Sequence, residues 1–413
     1  MIAALVFAAD TGTTLELLDR SEVRYRVTQQ IAAPTLAGGI GIPSDMGVDI
    51  LNQPTAHLQL AERRWTFSAE YSPLFLAPDL ELGFSPILLN VASTSFAWHD
   101  RFVRVTLGQD GTYGLENSAY LVADQTLTGQ TPTIQPVAAP ATITFGASHT
   151  YGGLEVRLGR HVRVTVGAEY LVAGGLDAYA QQVLPLESGP RATARIAYDA
   201  TRRDTLSASI SGQRDEFSTS LCIEPLGQSY FPPHGGFCSP QSDLAEARLQ
   251  LAHKLSHSAT ASVGGGIALT DERTETDAPY LRSSYGLADA QVIQTFGQHG
   301  TSNVGFTALL APYVDVRTGL VTDAASVDLS LVDRLTSLVT VKADSGGSQT
   351  LSSGYAPQAT IVQANAAVDL SVSKQVQFEV GERALWQRQD YFGTFVTAFT
   401  YCAVTVRERK LHF

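Results

Sequence analysis

Charged residues recur at every second position in several stretches of the chain. In the stretch 153–173, Glu155 and Arg157 alternate with aliphatic residues, and Arg163 and Glu169 alternate with a second aliphatic run. Buried charges without a partner are very costly, so these side chains need water or an opposite charge nearby. The chemistry that this spacing offers is a charged and hydrated wall rather than a reaction centre.

The same spacing gives thirteen candidate wall residues along the chain, seven basic and six acidic. They are Arg104, Glu155, Arg157, Arg163, Glu169, Arg191, Arg195, Glu246, Arg248, Asp328, Lys342, Asp369 and Glu379. One interpretation is a pore whose charged wall sets the preference for solutes. The alternative is a wall of ion pairs that only keeps the passage wet, and both stay open for each residue.

Two of the three cysteines flank a stretch rich in turn-forming residues. Cys222 and Cys238 enclose residues 223–237, and a disulfide between them closes a loop of about 15 residues, contributing about 3 kcal/mol. Such a bond fits an oxidising compartment, and two unrelated thiols are the alternative. Metal binding with His234 matches no zinc spacing, and Cys402 is predicted to be an apolar filler.

Catalytic and nucleic-acid-binding functions find little support in the sequence. The nine histidines fall in no His-Glu-x-x-His motif, and no Gly-x-Ser-x-Gly motif is present. We therefore expect no catalytic residue, no metal and no cofactor. The net charge of −12 argues against nucleic-acid binding, which normally needs a basic patch.

Strict alternation predicts strands with one apolar face and one polar face. Residues 153–159 and 161–173 form a hairpin around Gly159 and Arg160, with Val164, Val166 and Tyr170 on its apolar face. Similar hairpins recur at 56–71, 91–108, 191–210, 245–263, 326–342 and 359–380. By contrast, the stretch 31–54 is rich in Gly, Pro and Ala and is predicted to be a loop.

The connections between these strands alternate in length. Turns within hairpins have two to six residues, whereas long segments (110–141, 174–190, 213–243, 271–284 and 343–358) separate the hairpins. Acidic residues such as Asp215, Glu216, Asp271 and Glu272 are expected in these long loops. Short turns on one rim and long loops on the other are typical of a transmembrane β-barrel.

The predicted fold class is therefore all-β, a closed antiparallel transmembrane barrel, because a sheet in lipid must leave no open edge. The count is about 18 strands if the irregular pair 285–296 and 303–316 is real, and about 16 if that pair belongs to a loop. Trp65, Trp98, Phe102 and Tyr198 lie beside short turns, as an interfacial aromatic girdle requires. No apolar run is long enough for a membrane-spanning helix.

The domain organisation is simple. Residues 1–9 are apolar and end in small residues before Asp10, which is the pattern of a remnant of a signal peptide. No linker, charge block or change of composition divides the remainder. Residues 10–413 are therefore predicted to form a single barrel domain.

This pattern resembles the Gram-negative outer-membrane β-barrels of the porin-like kind, from about Thr14 to the end of the chain. The resemblance rests on the alternation, the unequal loops and the terminal Phe413, because barrels of this class end in an aromatic residue read by the assembly machinery. Leu411 fits that signal, whereas Arg407 and Arg409 depart from it. Phe395, Phe399, Tyr401 and Ala403 share one face of the last strand, which is predicted to face lipid.

The resemblance implies a location in the outer membrane and passive diffusion of small hydrophilic solutes. The implied partners are membrane lipid, lipopolysaccharide and, through Phe413, the barrel-assembly machinery, with homo-oligomerisation left open. A structural or adhesive barrel acting through its long loops is the first alternative. An outer-membrane hydrolase is the second.

Overall fold

A computed structural model describes residues 12–32, 44–77, 87–117, 142–218, 240–273, 281–297, 302–315, 319–351, 359–389, 393–408 and 411–412. The predicted signal-peptide remnant, the cysteine pair Cys222 and Cys238, and Phe413 lie outside these residues. No helix in the described part of the chain is long and apolar enough to cross a membrane.

Strands account for most of the described residues. They are β1 (Gly12–Ala32), β2 (Asp45–Ala61), β3 (Trp65–Tyr71), β4 (Leu74–Ala77), β5 (Ile87–His99), β6 (Val103–Asn117), β7 (Thr142–Leu158), β8 (Val162–Gly175), β9 (Glu187–Asp199), β10 (Asp204–Phe217), β11 (Gln241–Lys254), β12 (Ala259–Arg273), β13 (Leu281–Phe296), β14 (Ser302–Val314), β15 (Val321–Arg334), β16 (Val339–Leu351), β17 (Ala359–Ser371), β18 (Val376–Gln389), β19 (Gly393–Arg407) and β20 (Leu411–His412). A short helix, α1 (Ala178–Val183), lies between β8 and β9.

The strands form one antiparallel sheet in which each strand pairs with the next along the chain. β1 pairs with β2 on one side and with β19 on the other, so the sheet closes into a barrel. β3 and β4 both lie between β2 and β5 and form one barrel strand, interrupted at Ser72 and Pro73. Pro73 has no N–H for the ladder, which explains the interruption. Because β20 only extends the edge pairing of β1, the barrel has eighteen strands.

The predicted loop boundaries need correction. β2 begins at Asp45, so the second half of the predicted loop 31–54 is strand. Several predicted long loops are also partly strand, because β10 extends to Phe217 and β12 to Arg273. Asp215 and Glu272 therefore lie on strands and not in loops. These strand ends carry polar residues on both faces, which removes the alternation that marks a strand in the sequence.

The interior face of the barrel is identified by contacts between distant strands. Phe217 of β10 packs with Val321 of β15, five strands away, and such a contact can form only across the interior. Ser242 and Glu272 contact the same region of the β14–β15 connection. The register then places every second residue of each strand on the interior face.

The opposite, outer face is apolar and exposed. On β11 and β12 it presents Leu249, Val263, Ile267 and Leu269, each at least half exposed. Tyr170 and Tyr198 lie on the same face of β8 and β9. Soluble proteins rarely expose apolar surface of this extent, whereas a barrel in lipid must.

The prediction for the last strand is wrong in its facing. Phe395, Phe399 and Tyr401 of β19 are only 3–4% exposed and face the interior, while Cys402 faces outward. The reason is that interior side chains cover these rings. The guanidinium of Arg24 lies 5.5 Å from the Phe399 ring centroid.

Candidate channel interior

The thirteen predicted wall residues all occupy interior positions of the register. Opposed pairs illustrate this placement: Arg104 lies opposite Glu155, Glu169 opposite Arg191, and Asp369 opposite Glu379. The residues are distributed over β6, β7, β8, β9, β11, β15, β16, β17 and β18. Local alternation therefore predicts their common face.

The structure brings some of these residues together as ion pairs. Arg248 lies 2.9 Å from Glu246, Arg157 lies 3.3 Å from Glu155, and Lys342 lies 2.6 Å from Asp369. The Arg248 and Arg157 pairs are partly exposed, so each of them contributes little to stability on its own. The Asp369 carboxylate, by contrast, is buried.

Other predicted wall residues have partners outside the predicted set of thirteen. The guanidinium of Arg195 donates to the hydroxyl of Ser207 at 2.9 Å and to the amide oxygen of Gln250 at 3.0 Å. Arg163 lies 3.6 Å from Asp199. The carboxylate of Asp328 lies over Gly346, beside the carboxylate of Asp344.

A charged network at the junction of the first and last strands was missed by the sequence prediction. Arg20 of β1 donates to both carboxylate oxygens of Glu379 on β18, at 3.3 and 3.2 Å, and to Glu22 at 3.0 Å. Tyr401 donates to Glu379 at 2.9 Å, and Arg26 lies 3.3 Å from Asp49. The alternation of Arg24 and Arg26 on β1 is visible in the sequence, but their partners become neighbours only when the barrel closes.

A second missed cluster surrounds His149 of β7. Its ring nitrogens lie 3.6 Å from Asp110 and 3.0 Å from Glu169, and its ring stacks on Tyr151 at 5.2 Å between centroids. The Tyr151 ring lies over Gly108 of β6, where a Cβ would overlap the ring. The absence of a side chain at Gly108 therefore lets an aromatic ring lie flat against the interior wall.

The β14–β15 hairpin folds inward at the end of the barrel that carries the longer connections. We call its described part, residues 311–315 and 319–324, the inward hairpin. Tyr285 donates to the carbonyl of Val321 at 3.2 Å, and the Val321 amide donates to Glu272 at 3.2 Å. The Ser242 hydroxyl donates to the carbonyl of Gly319. Val314 and Val321 complete an apolar cluster with Phe217, so the hairpin narrows the interior at this level.

Buried carboxylates lie at this level of the interior. The outer positions beyond Leu269 on β12 are Asp271 and Arg273, so this part of the wall extends beyond the apolar band. Burial, with a smaller contribution from Asp271, raises the pKa of Glu272 to about 7. Burial and the nearby Asp215 raise the pKa of Glu187 to about 7, although Arg191 lies 2.9 Å away.

The fold and its two faces define the class of protein. A closed antiparallel barrel of eighteen strands, with an apolar outer face and a charged interior, is a transmembrane β-barrel of the porin-like type. The apolar outer face places such a barrel in a membrane.

One family model and several solved structures resemble the chain. The EpsX exopolysaccharide export family matches residues 111–223, and no curated protein matches the chain. Among solved structures, the FrpB iron transporter from Neisseria meningitidis (F3-3 variant) is 9% identical, with a TM-score of 0.48, over 92% of this chain and 62% of FrpB. OpdL from Pseudomonas aeruginosa is 10% identical, with a TM-score of 0.46, over 96% of this chain and 99% of OpdL. OpdK from the same organism, solved with vanillate, is 8% identical, with a TM-score of 0.48, over 96% of this chain and 99% of OpdK.

Proposed function

We propose that the protein is a non-enzymatic outer-membrane channel for the passive diffusion of small hydrophilic solutes. The observation that carries this proposal is the contrast between the two faces of the barrel, apolar outside and charged inside. A barrel of sixteen to eighteen strands is wide enough for an aqueous channel. The thirteen interior charged residues then line the pore and attract or repel a solute according to its charge.

The inward hairpin supports a limit on solute size. It occupies part of the interior and is anchored on β10, β11, β12 and β13 through Phe217, Ser242, Glu272 and Tyr285. A constriction at one level selects by size, whereas the charged wall selects by charge.

Export of an exopolysaccharide is the second candidate function, favoured by the match of residues 111–223 to the EpsX family. The matched stretch includes the end of β6 from Gly111 onward and all of β7, β8, β9 and β10. His149 and Glu169 lie on the interior face of these strands. Asp110, the third member of their cluster, lies one residue before the match. A polymer chain needs the same hydrated passage as a small solute, so the two candidates share the barrel and differ in cargo.

Osmotic swelling of liposomes containing the purified protein tests the first candidate. The expected result is rapid swelling with mono- and disaccharides, and slower swelling as the sugar becomes larger. Vesicles that contain folded protein but do not swell with any sugar contradict passive diffusion. In that case an adhesive or structural barrel, a dedicated exporter or an outer-membrane hydrolase explains the protein better.

Several expectations stay as proposals. A disulfide joins Cys222 and Cys238, residues 1–9 are a signal-peptide remnant, and residues 10–413 are one domain. Phe413 is the assembly signal, and lipopolysaccharide surrounds the barrel. Native mass spectrometry tests whether the protein forms a homo-oligomer. Alkylation of the denatured protein without and with prior reduction tests the disulfide, because Cys222 and Cys238 then gain alkyl groups only after reduction.

A further inference from the structure

Basic residues are concentrated on the rim that carries the short turns. The segments 60–66, 98–104, 157–163, 198–205, 253–260, 333–340, 370–377 and 406–408 belong to this rim. Together they contain thirteen Lys and Arg residues but only six Asp and Glu residues, although the whole chain has a net charge of −12. This rim faces the periplasm in barrels of this type. These segments therefore carry a net positive charge.

A cleft of about 240 Å³ lies in this rim, between the β5–β6 turn, the start of β6 and the end of β7. We call it the basic cleft, and its charged lining includes Arg101, Arg104, Arg157, Asp100 and Glu155. The Arg157 amide donates to the carbonyl of Phe102 at 2.8 Å, which fixes the two walls of the cleft together. Its shape thus depends on the backbone and not only on mobile side chains.

The basic cleft has more positive than negative charge, and its guanidinium groups are accessible. Arg157 lies 3.3 Å from Glu155, yet 59% of its side chain is exposed. The Arg101 guanidinium lies 5.1 Å from the ring centroid of Phe102. Guanidinium groups bind carboxylates and phosphates through paired hydrogen bonds, and a cleft with low-dielectric walls concentrates their field.

The register distinguishes a solute from a lipid as the ligand. Arg104, Glu155 and Arg157 occupy interior positions, so they face the channel mouth and not the surrounding lipid. Arg157 and the neighbouring Arg163 also fall within the stretch that matches the exopolysaccharide export family.

We propose that the basic cleft binds the carboxylate groups of an acidic saccharide at the periplasmic mouth of the channel. This inference rests on the proposed function, in its second form, and adds the substrate class: a saccharide that carries acidic sugar units. The cleft then collects the anionic saccharide where it enters the barrel.

Isothermal titration of the purified barrel in a neutral detergent tests this proposal with two probes of equal length. Trigalacturonate is acidic, and maltotriose is neutral. The expected result is binding of trigalacturonate only, with an affinity that falls as salt is raised from 50 to 500 mM. Changing Arg104→Gln and Arg157→Gln together should weaken the binding about tenfold.

A matched double variant controls for total charge. Arg202→Gln with Arg203→Gln removes two arginines from the same rim, in the exposed β9–β10 turn outside the cleft. It should bind trigalacturonate within about twofold of the unchanged protein. Equal losses in both double variants, or no binding by the unchanged protein, overturn the proposal.

Two further measurements distinguish a saccharide site from a lipid site and separate binding from conduction. Binding in detergent needs no transport, so a barrel that binds trigalacturonate but fails to conduct contradicts the channel and not the cleft. Mixed micelles containing phosphatidylglycerol test whether the cleft holds a lipid headgroup instead. If that lipid displaces trigalacturonate and its own binding depends on Arg104 and Arg157, the cleft is a lipid site and the proposal is wrong.

Discussion

At the residue scale, alternation determines which side chains face lipid and which face the interior. A shift of one residue in register exchanges the two faces of a strand completely, so neighbouring positions make sharp controls. Val164 lies on the outer face opposite Val156, and Thr165 lies on the interior face opposite Glu155. These positions were predictable because the periodicity of β8 is local and unbroken.

Substitution at these two positions tests the assignment of the faces. Val164→Lys places a charge in the apolar band and should cost about 2–4 kcal/mol, whereas Thr165→Lys meets water and should change folding little. The yield of folded barrel in lipid vesicles measures both. Equal yields would show that the apolar face of this hairpin does not contact lipid.

The network around Glu379 gives a second prediction at this scale. Glu379→Gln removes the shared partner of Arg20 and Lys342, which should lower the free energy of unfolding by roughly 1–3 kcal/mol. Glu155→Gln is the control, because this carboxylate is more exposed, pairs with Arg157 and should cost less than about 1 kcal/mol. Urea unfolding in vesicles compares the two, and equal losses would mean that the network adds nothing beyond a surface ion pair.

At the element scale, the inward hairpin is the feature that the sequence conceals. The sequence 303–316 reads as an irregular strand because the described end of β14, at Val314, packs against Phe217 and Tyr285 inside the barrel. The interior face of β19 is also hidden in the sequence. Both faces of this strand are apolar, and only the arginines that cover its rings identify the interior. Local periodicity cannot separate a ring buried under interior side chains from a ring in lipid.

Removing the anchors of the inward hairpin should widen the passage. Phe217→Ala with Tyr285→Ala deletes two of its packing surfaces, and truncation of a buried aromatic residue typically costs about 3–5 kcal/mol locally. We expect a larger single-channel conductance. Phe306→Ala, on the outer face of β14, is the control and should leave the conductance unchanged. An unchanged conductance in the double variant would contradict a constriction at this hairpin.

The hairpin should also respond to pH through Glu272. The pKa of Glu272 is raised in the folded barrel from its ordinary value of 4.5 to about 7, mainly by burial. Because folding raises this pKa, protonation of Glu272 stabilises the folded hairpin. This stabilisation is complete below pH about 4.5 and is lost as the pH rises through about 7. We expect more frequent current fluctuations at pH 8 than at pH 5. Glu272→Gln keeps a neutral acceptor for the Val321 amide and should abolish this difference. If Glu272→Gln keeps the difference between pH 5 and pH 8, another group causes the pH response.

At the scale of the whole molecule, the closed barrel was predictable, but the register of the strand pair that closes it was not. Repeated hairpins and unequal connections indicate a barrel, because only closure satisfies all backbone groups in lipid. The pairing of β1 with β19 joins residues almost four hundred positions apart, and no local pattern encodes it. The Arg20–Glu379 network depends on this pairing and so could not be predicted.

A barrel of this width is expected to form a water-filled passage across the outer membrane. Recording single channels in planar lipid bilayers tests it directly, with protein whose folding is verified by circular dichroism in detergent. The predicted result is discrete current steps of uniform size that increase linearly with small applied voltages. Bilayers that stay non-conducting, although the folded barrel is inserted in them, would show that the barrel forms no such passage.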